Sequence, residues 1–583
     1  MKTRLRLISL ILCLVTVLLQ FAACADEQIN ETMPSTDVTM DNITDKEVVQ
    51  TPIDSKNFVF FENGQYTAKF ILSETATASE REVYAKLRSL FKNKTNVTVP
   101  HQTDFKPAGT VRDPNEFAVL IGNTNYSESQ SAIKASPYGD YSLKFSGNKM
   151  VLIFSSEEDG IALVNMLSKA IKSNSAGAVY IDRSTSISKQ SLPSLSSLPK
   201  YPGKTPTLVD CNGDTSMMVA SSSSVAEYNQ YCTALTQNGF KLHSSRDNVN
   251  NNIFRTYVKD ATAVTVYYTA YSKTTRVIAG PIKDIPPTTK DSTPETVQPS
   301  LTLVAHDTSY EIGLGLVYLL PNGKFLIVDG GAIKAAELYS LLQKLAPNKN
   351  NIVITAWYIS HAHVDHQNTI IEFVEKKFKN VKIESILYNY PTRETYKAIT
   401  NGSEGGSDAQ YLINTLKNNT DASTKIIKPH SGQIYSYGSS TVEVLYTMED
   451  KLPQPLDYLN TSSLVLKIKV GKHSMMALTD TTHVSGEILR KMYGSYLQCE
   501  MVQIAHHGFY AGYANLYDTI KGKVLIWPSN AVGAKKQIND STVKAALKHA
   551  SDVYIANVSS HTTIKLPYTI KNNKQQVLNS LGG

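Results

Sequence analysis

Cysteine is scarce in this chain of 583 residues: past Cys24 only Cys211, Cys232 and Cys499 occur. An odd number cannot pair fully within one chain, which excludes a disulfide-dense scaffold. Small buried hydrophobes are preferred over a Cys211–Cys232 bridge. No block of lysine and arginine stands out against a formal net charge of +7, so charge alone implies no polyanionic partner. After the first segment no apolar run is long enough to span a membrane, so any attachment depends on that segment. From Asp26 to Lys56 large apolar residues are almost missing, and a polar, acidic stretch of this kind cannot bury enough surface to fold. Histidine is sparse as well until residue 300, with only His101 and His243.

What is present begins with Lys2, Arg4 and Arg6 ahead of an apolar run from Leu7 to Ala23, the pattern of an export signal over residues 1–25. Phe21-Ala22-Ala23-Cys24 reads as a bacterial lipobox, which would place a lipid on Cys24 and tether the exported protein to a membrane. Cleavage after Ala23-Cys24-Ala25 is the competing reading and would release a secreted protein. The lipid is preferred, because residues 26–56 have the composition of a tether.

The remaining length predicts three folded units. Residues 57–183 alternate strands such as Phe117–Ile121 and Met150–Phe154 with helical stretches at Glu80–Leu90 and Gly160–Ile171, predicting a small α/β domain. Its Leu120–Asn125 and Gly139–Lys144 segments resemble accessory domains of secreted carbohydrate-active enzymes, which implies glycan contact. A plain strand-ending turn at Gly122-Asn123-Thr124 is the preferred reading. A Ser/Pro-rich linker, 184–206, precedes a predicted α+β domain at 207–283, with a helix over Ser224–Asn238 and a strand through Tyr267 and Tyr268. Those tyrosines could stack on sugars, although packing is the commoner use of tyrosine in a strand. A second linker to Pro299 leads into residues 300–583, which hold the other eleven histidines and so the chemistry.

There, His361-Ala362-His363-Val364-Asp365-His366 follows the strand-like run Asn351–Ile359. Three imidazoles and a carboxylate within six residues are donors suited to a borderline divalent cation, usually zinc. Three further segments each end a predicted strand in a polar residue: Lys324–Gly331 with Asp329, Ser474–Asp480, and Met501–Gly508 with His506 and His507. Loops at such strand ends gather ligands over one sheet edge.

These four segments resemble the metallo-β-lactamase-fold hydrolases over most of residues 300–570, and among them the metallo-hydrolase domain of the competence protein ComEC. The ComEC likeness lies in Asn460-Thr461-Ser462-Ser463-Leu464-Val465-Leu466 ahead of Asp480, and in His506-His507-Gly508. The resemblance implies an α/β fold class, an αββα sandwich at 300–583 preceded by the smaller α/β and α+β domains. It also implies that His361 and His363 hold one metal, that Asp365 and His366 hold a second, and that Asp480 bridges them, with one or two zinc ions or manganese as cofactor. One of His506 and His507 would complete the second site. His506 is preferred as ligand because it alternates in phase with Val502 and Ile504, leaving His507 as a catalytic proton donor or substrate contact. Asp329 would anchor the ligand loop without touching metal.

Three departures stand out. A third histidine for the first metal has only His430 as candidate; Gln367-Asn368-Thr369 replaces the usual Gly-Gly; and Phe509 replaces a serine. The last two weigh against nucleic acid as substrate. His483 could line the cleft or simply start a helix, and Phe509, Tyr510 and Tyr513 could wall a pocket or cap the core. The expected function is exported, metal-dependent hydrolysis of a small-molecule or polymer ester, phosphodiesters first, with Asp365 and Asp480 orienting the attacking water. The alternative is a surface-anchored glycan- or nutrient-binding protein whose metal site is structural or degenerate.

Overall fold

The computed structural model describes residues 55–289, 291–306, 310–400, 406–509, 512–558 and 560–582. The export signal, Cys24, all but the end of the acidic stretch, and Tyr510 lie outside the described residues.

The first sheet has six strands, in the order Ile187–Gln190, Asp140–Ser146, Lys149–Ile153, Ala118–Ile121, Lys69–Leu72, Gln102–Thr103. Ala118–Ile121 is buried at every position and pairs in parallel with both neighbours, as a central strand covered on both faces must be. Helices Ala78–Thr95 and Glu157–Ala170 pack together, the first opened by a Thr77/Glu80 capping box. Glu80 also accepts the Asn123 N–H (2.9 Å), and Ser129 Oγ accepts that of Thr124 (3.1 Å). The Gly122-Asn123-Thr124 turn therefore spends these donors inside the fold.

The predicted linker 184–206 is not a free spacer. Its Ile187–Gln190 forms an edge strand of the first sheet, and Leu195, Leu198 and Tyr201 are buried against the next unit. Ser/Pro-rich composition did not outweigh four well-placed apolar side chains.

The second unit is an antiparallel six-stranded sheet built from 207–281, with helix Val225–Gln237 on one face. Tyr228, Tyr231, Cys232 and Leu235 form the buried stripe of that helix, and Tyr267 and Tyr268 are buried. Cys211, Cys232 and Cys499 are free thiols in apolar surroundings. The other face of the sheet is covered by the third unit. Met217, Val219, Phe254, Tyr267 and Ile278 share one core with Leu445, Tyr446, Met448 and Tyr493. Within that contact Arg276 donates to the carbonyls of Glu449 (3.0 Å) and Asp450 (2.7 Å), and Tyr267 donates to Asp450 Oδ1 (2.8 Å).

Residues 300–582 form two facing sheets. One has eight strands along its main path, with Phe325–Asp329 and Ile352–Tyr358 side by side in parallel. The other has seven, with His473–Ala477 and Met501–Gln503 likewise in parallel. Leu316, Leu326, Val328 and Ala356 of the first meet Val444, Leu466, Ala477 and Ile526 of the second in the central core. Helices Ala335–Leu345, Val364–Lys376 and Gly406–Asn419 cover the outer face of the first sheet, and His483–Tyr493, Ala514–Ile520 and Ser541–His549 cover that of the second. The result is an α/β chain ending in an αββα sandwich. All four of those parallel strands run toward one edge, where Asp329, His361, Asp480 and His507 emerge.

Candidate metal centre

Asp329 ends its strand in a left-handed conformation (φ 56°) and is wholly buried. It accepts the Ser360 N–H at Oδ1 (2.7 Å) and the Ser360 hydroxyl at Oδ2 (2.8 Å), which pins the loop leading into His361. His366 Nδ1 donates to the same Oδ2 (2.8 Å). That bond fixes the tautomer and leaves Nε2 of His366 with a lone pair directed into the site.

His363 is the N-cap residue of helix Val364–Lys376, so Asp365 and His366 fall in its first turn. The tight spacing of the motif thus becomes a loop ligand, a cap and two first-turn residues, aimed at one point from two directions. His361 Nε2 lies 2.9 Å from His363 Nδ1 and 3.6 Å from Asp480 Oδ2. His366 Nε2 lies 3.3 Å from Asp480 Oδ2 and 3.2 Å from His507 Nε2. His507 Nε2 lies 3.0 Å from Asp365 Oδ2 and 3.4 Å from Asp480 Oδ1. Two groups result, His361/His363/Asp480 and Asp365/His366/His507, the ligand atoms of each within 4.8 Å of one another.

The alternation argument for His506 does not hold. The strand stops at Gln503, and His506 and His507 take consecutive left-handed conformations (φ 47° and 54°) in a tight turn. This turn brings the second histidine, not the first, into the Asp365/His366 group. His507 Nδ1 faces the Pro528 carbonyl (3.2 Å), leaving Nε2 for the site, and the Trp527 indole N–H donates to the His507 carbonyl (2.7 Å). His506 is partly exposed, with Nε2 3.9 Å from Asp480 Oδ2. Among the described residues, His430 is in neither group. It is buried with Nδ1 2.9 Å from Glu449, a carboxylate that also accepts from Asn389. His483 starts helix His483–Tyr493, its ring edge-on to Tyr513.

The electrostatics follow from burial against charge. Burial alone would lower His366 and His507. Asp480 and Asp365 outweigh it for both, aided at His366 by Asp329, raising His366 well above its ordinary value and His507 to about 9. Burial lowers His361, His363 and His506. Asp480 and Asp365 are held below the usual carboxylate range: burial opposes this, and the neighbouring imidazoles prevail.

These residues fit a divalent cation. With both Nδ1 atoms facing oxygens, the Nε2 lone pairs of His366 and His507 face each other at 3.2 Å, a contact that needs a proton or cation between them. Asp480 Oδ1 is buried without a hydrogen-bond partner. Mixed imidazole and carboxylate donors suit zinc or manganese. His363, Asp365 and His506 keep partial exposure, so the cluster is open on one side, as catalytic sites are and structural ones are not. Ser360 escaped the sequence reading, although its place immediately before the motif marks it as a loop anchor.

No protein-family model and no curated protein matches the chain. Similar solved structures include CmlA, a diiron β-hydroxylase from Streptomyces venezuelae, at 13% identity and TM-score 0.28 over 59% of this chain and 79% of that one. Zn2+-bound PqqB from Methylobacterium extorquens is 6% identical, with TM-score 0.29 over 45% of this chain and 99% of its own. Unliganded yeast PDE1 is 11% identical, with TM-score 0.28 over 46% and 100%. At such values these likenesses carry no argument.

Proposed function

We propose that this chain is an exported, metal-dependent hydrolase of the metallo-β-lactamase type, acting on a phosphodiester or another ester. The observation that carries the reading is the pair of three-residue ligand groups, contiguous through Asp480 and open toward solvent at His363, Asp365 and His506. His361, His363 and Asp480 would hold one cation and Asp365, His366 and His507 a second, with zinc first and manganese as the alternative. A divalent cation bound there supplies Lewis-acid polarisation of the ester and acidification of a water.

The chain's own residues do the rest. Asp329 keeps the His366 Nδ1 proton in place, and the Pro528 carbonyl does the same for His507, so both rings present Nε2. Asp365 and Asp480 supply negative charge where a nucleophile must be oriented. With His507 turned into the cluster, proton exchange with solvent passes to His506, which is partly exposed beside Asp480. A phosphodiester is favoured through the ComEC-like segments; the missing third imidazole disfavours a β-lactam. Export with a lipid on Cys24 belongs to the same proposal, and Cys24→Ala should leave the protein unprocessed or released, read by membrane fractionation.

The test uses the full processed chain, measuring bound metal together with hydrolysis of a bis-aryl phosphate, single-stranded DNA and nitrocefin. Wild type should hold zinc or manganese and turn over the aryl phosphate, and His363→Ala should lose turnover. Equal turnover in the two proteins would sink the enzymatic reading, and absence of any metal would sink the site.

A further inference from the structure

We infer that Asn460 is a further cation ligand, its amide oxygen completing the His361/His363/Asp480 group; the inference rests on the metal-dependent reading above. That group offers three donors, one fewer than a tetrahedral site takes from protein and substrate together. His430 supplies no third imidazole, since among the described residues it falls in neither group.

Asn460 sits in the short turn Leu459–Ser462 and is wholly buried. Its Nδ2 reaches Asp480 Oδ2 only at 3.4 Å, beyond a good N–H···O distance, and its Oδ1 is buried with no partner. Asp480 Oδ1 likewise has no close hydrogen-bond donor and faces His507 Nε2 at 3.4 Å. Asp480 Oδ2, the oxygen the amide adjoins, lies 3.6 Å from His361 Nε2 and 3.3 Å from His366 Nε2, so the Asn460 side chain borders the ligand group with a buried acceptor unspent. A buried acceptor left unsatisfied is destabilising, and a cation would satisfy both.

The turn is also built to hold the amide still. Tyr446 OH donates to the Thr461 carbonyl (2.8 Å), Ser463 N–H to that of Asn460 (3.0 Å), and Leu464 N–H to that of Ser360 (3.1 Å). The last bond ties the Asn460 turn to the residue preceding His361, so Asn460 is positioned by both ligand loops. A half-turn of the amide exchanges its nitrogen and oxygen, and the partner present decides which faces Asp480. Carbonyl oxygen is a normal donor to manganese and other hard divalent ions.

The experiment titrates the chelator-treated full chain with Zn2+, Mn2+ and Co2+, counts bound equivalents, and records the visible absorption of the Co2+ form. Wild type should take up two equivalents. Asn460→Ala should keep one and bind the other at least tenfold more weakly, with altered Co2+ absorption, while Asn460→Asp, which retains an oxygen donor, should restore both. The inference is overturned if Asn460→Ala binds two equivalents with wild-type affinity. It is equally overturned if that variant weakens binding with unchanged Co2+ absorption, because the amide then only supports Asp480. Wild type taking up no cation would sink the hydrolase reading and the ligand together, whereas the first two results sink the ligand alone.

Discussion

Asp329 Oδ2 and His366 Nδ1 lie 2.8 Å apart, and both side chains are wholly buried. Among the described residues the carboxylate pairs with no other imidazole, yet it sets which nitrogen of His366 faces the ligand group. Breaking a buried pair by removing one partner costs about 3–5 kcal/mol, and losing an outer support of a ligand typically weakens metal binding roughly 10- to 100-fold. Asp329→Ala should therefore lower both the unfolding free energy and the affinity for zinc by those amounts, read by denaturant melts and competitive chelation. Affinity unchanged in a folded variant would remove Asp329 from the account.

The turn at His506-His507 makes a second prediction. His507→Ala should halve the bound metal, while His506→Ala should leave metal content intact and cut turnover. Gly508 shares the left-handed turn (φ 91°), and a Cβ there would meet the Trp527 indole nitrogen at 2.7 Å. Gly508→Ala should thus displace His507 and mimic its loss of metal, with elemental analysis as the readout. If His506→Ala is the variant that loses metal, the assignment is reversed.

Much of this centre was legible because its chemistry is local. Six consecutive residues carry four of the candidate ligands, Asp329 ends an obvious apolar strand and Asp480 closely follows another. The choice between His506 and His507 was not legible, since it depends on two consecutive positive-φ residues where a strand was assumed to continue. Burial of Asn460 was equally hidden: an asparagine in a Ser/Thr-rich segment reads as a surface turn unless its long-range neighbours are known. The same holds for the predicted linker at 184–206, whose Ile187, Leu195, Leu198 and Tyr201 found partners remote in sequence.

Proton linkage follows from the raised imidazoles. In the cation-free chain Asp480 and Asp365 raise both His366 and His507 against burial, His507 to about 9, so the facing Nε2 atoms hold a proton between them near pH 7. The stability His507 contributes is therefore full below its ordinary value near 6.5 and lost as pH rises through about 9. A cation needs both Nε2 atoms deprotonated, so binding must expel that proton. Saturation with zinc at pH 7 should release about one proton per chain, measured by calorimetry in buffers of different ionisation enthalpy. The cation-free melting temperature should fall between pH 6.5 and 9 while that of the loaded form does not. Zero proton release would contradict the charge state assigned to the His366/His507 pair.

Arg276 links the second sheet to the αββα sandwich. Its guanidinium is buried and donates to the carbonyls of Glu449, Asp450 and Leu452, beside the Tyr267–Asp450 bond and within an apolar core drawn from both units. Arg276→Leu would leave those carbonyls without their donor, and losing hydrogen bonds to a charged group costs about 1.5–3 kcal/mol each before any relaxation. The segment they belong to also carries Glu449, the carboxylate on His430. The two units should therefore unfold in one transition, and Arg276→Leu should lower its midpoint by several degrees without splitting it. A fragment beginning at residue 300 would expose Leu445, Tyr446, Met448 and Tyr493, so it should aggregate or melt well below the whole chain. Scanning calorimetry of wild type, Arg276→Leu and the fragment decides the matter: two separate transitions in wild type, or a fragment as stable as the whole, would make the second sheet an appended module and not part of the sandwich's foundation.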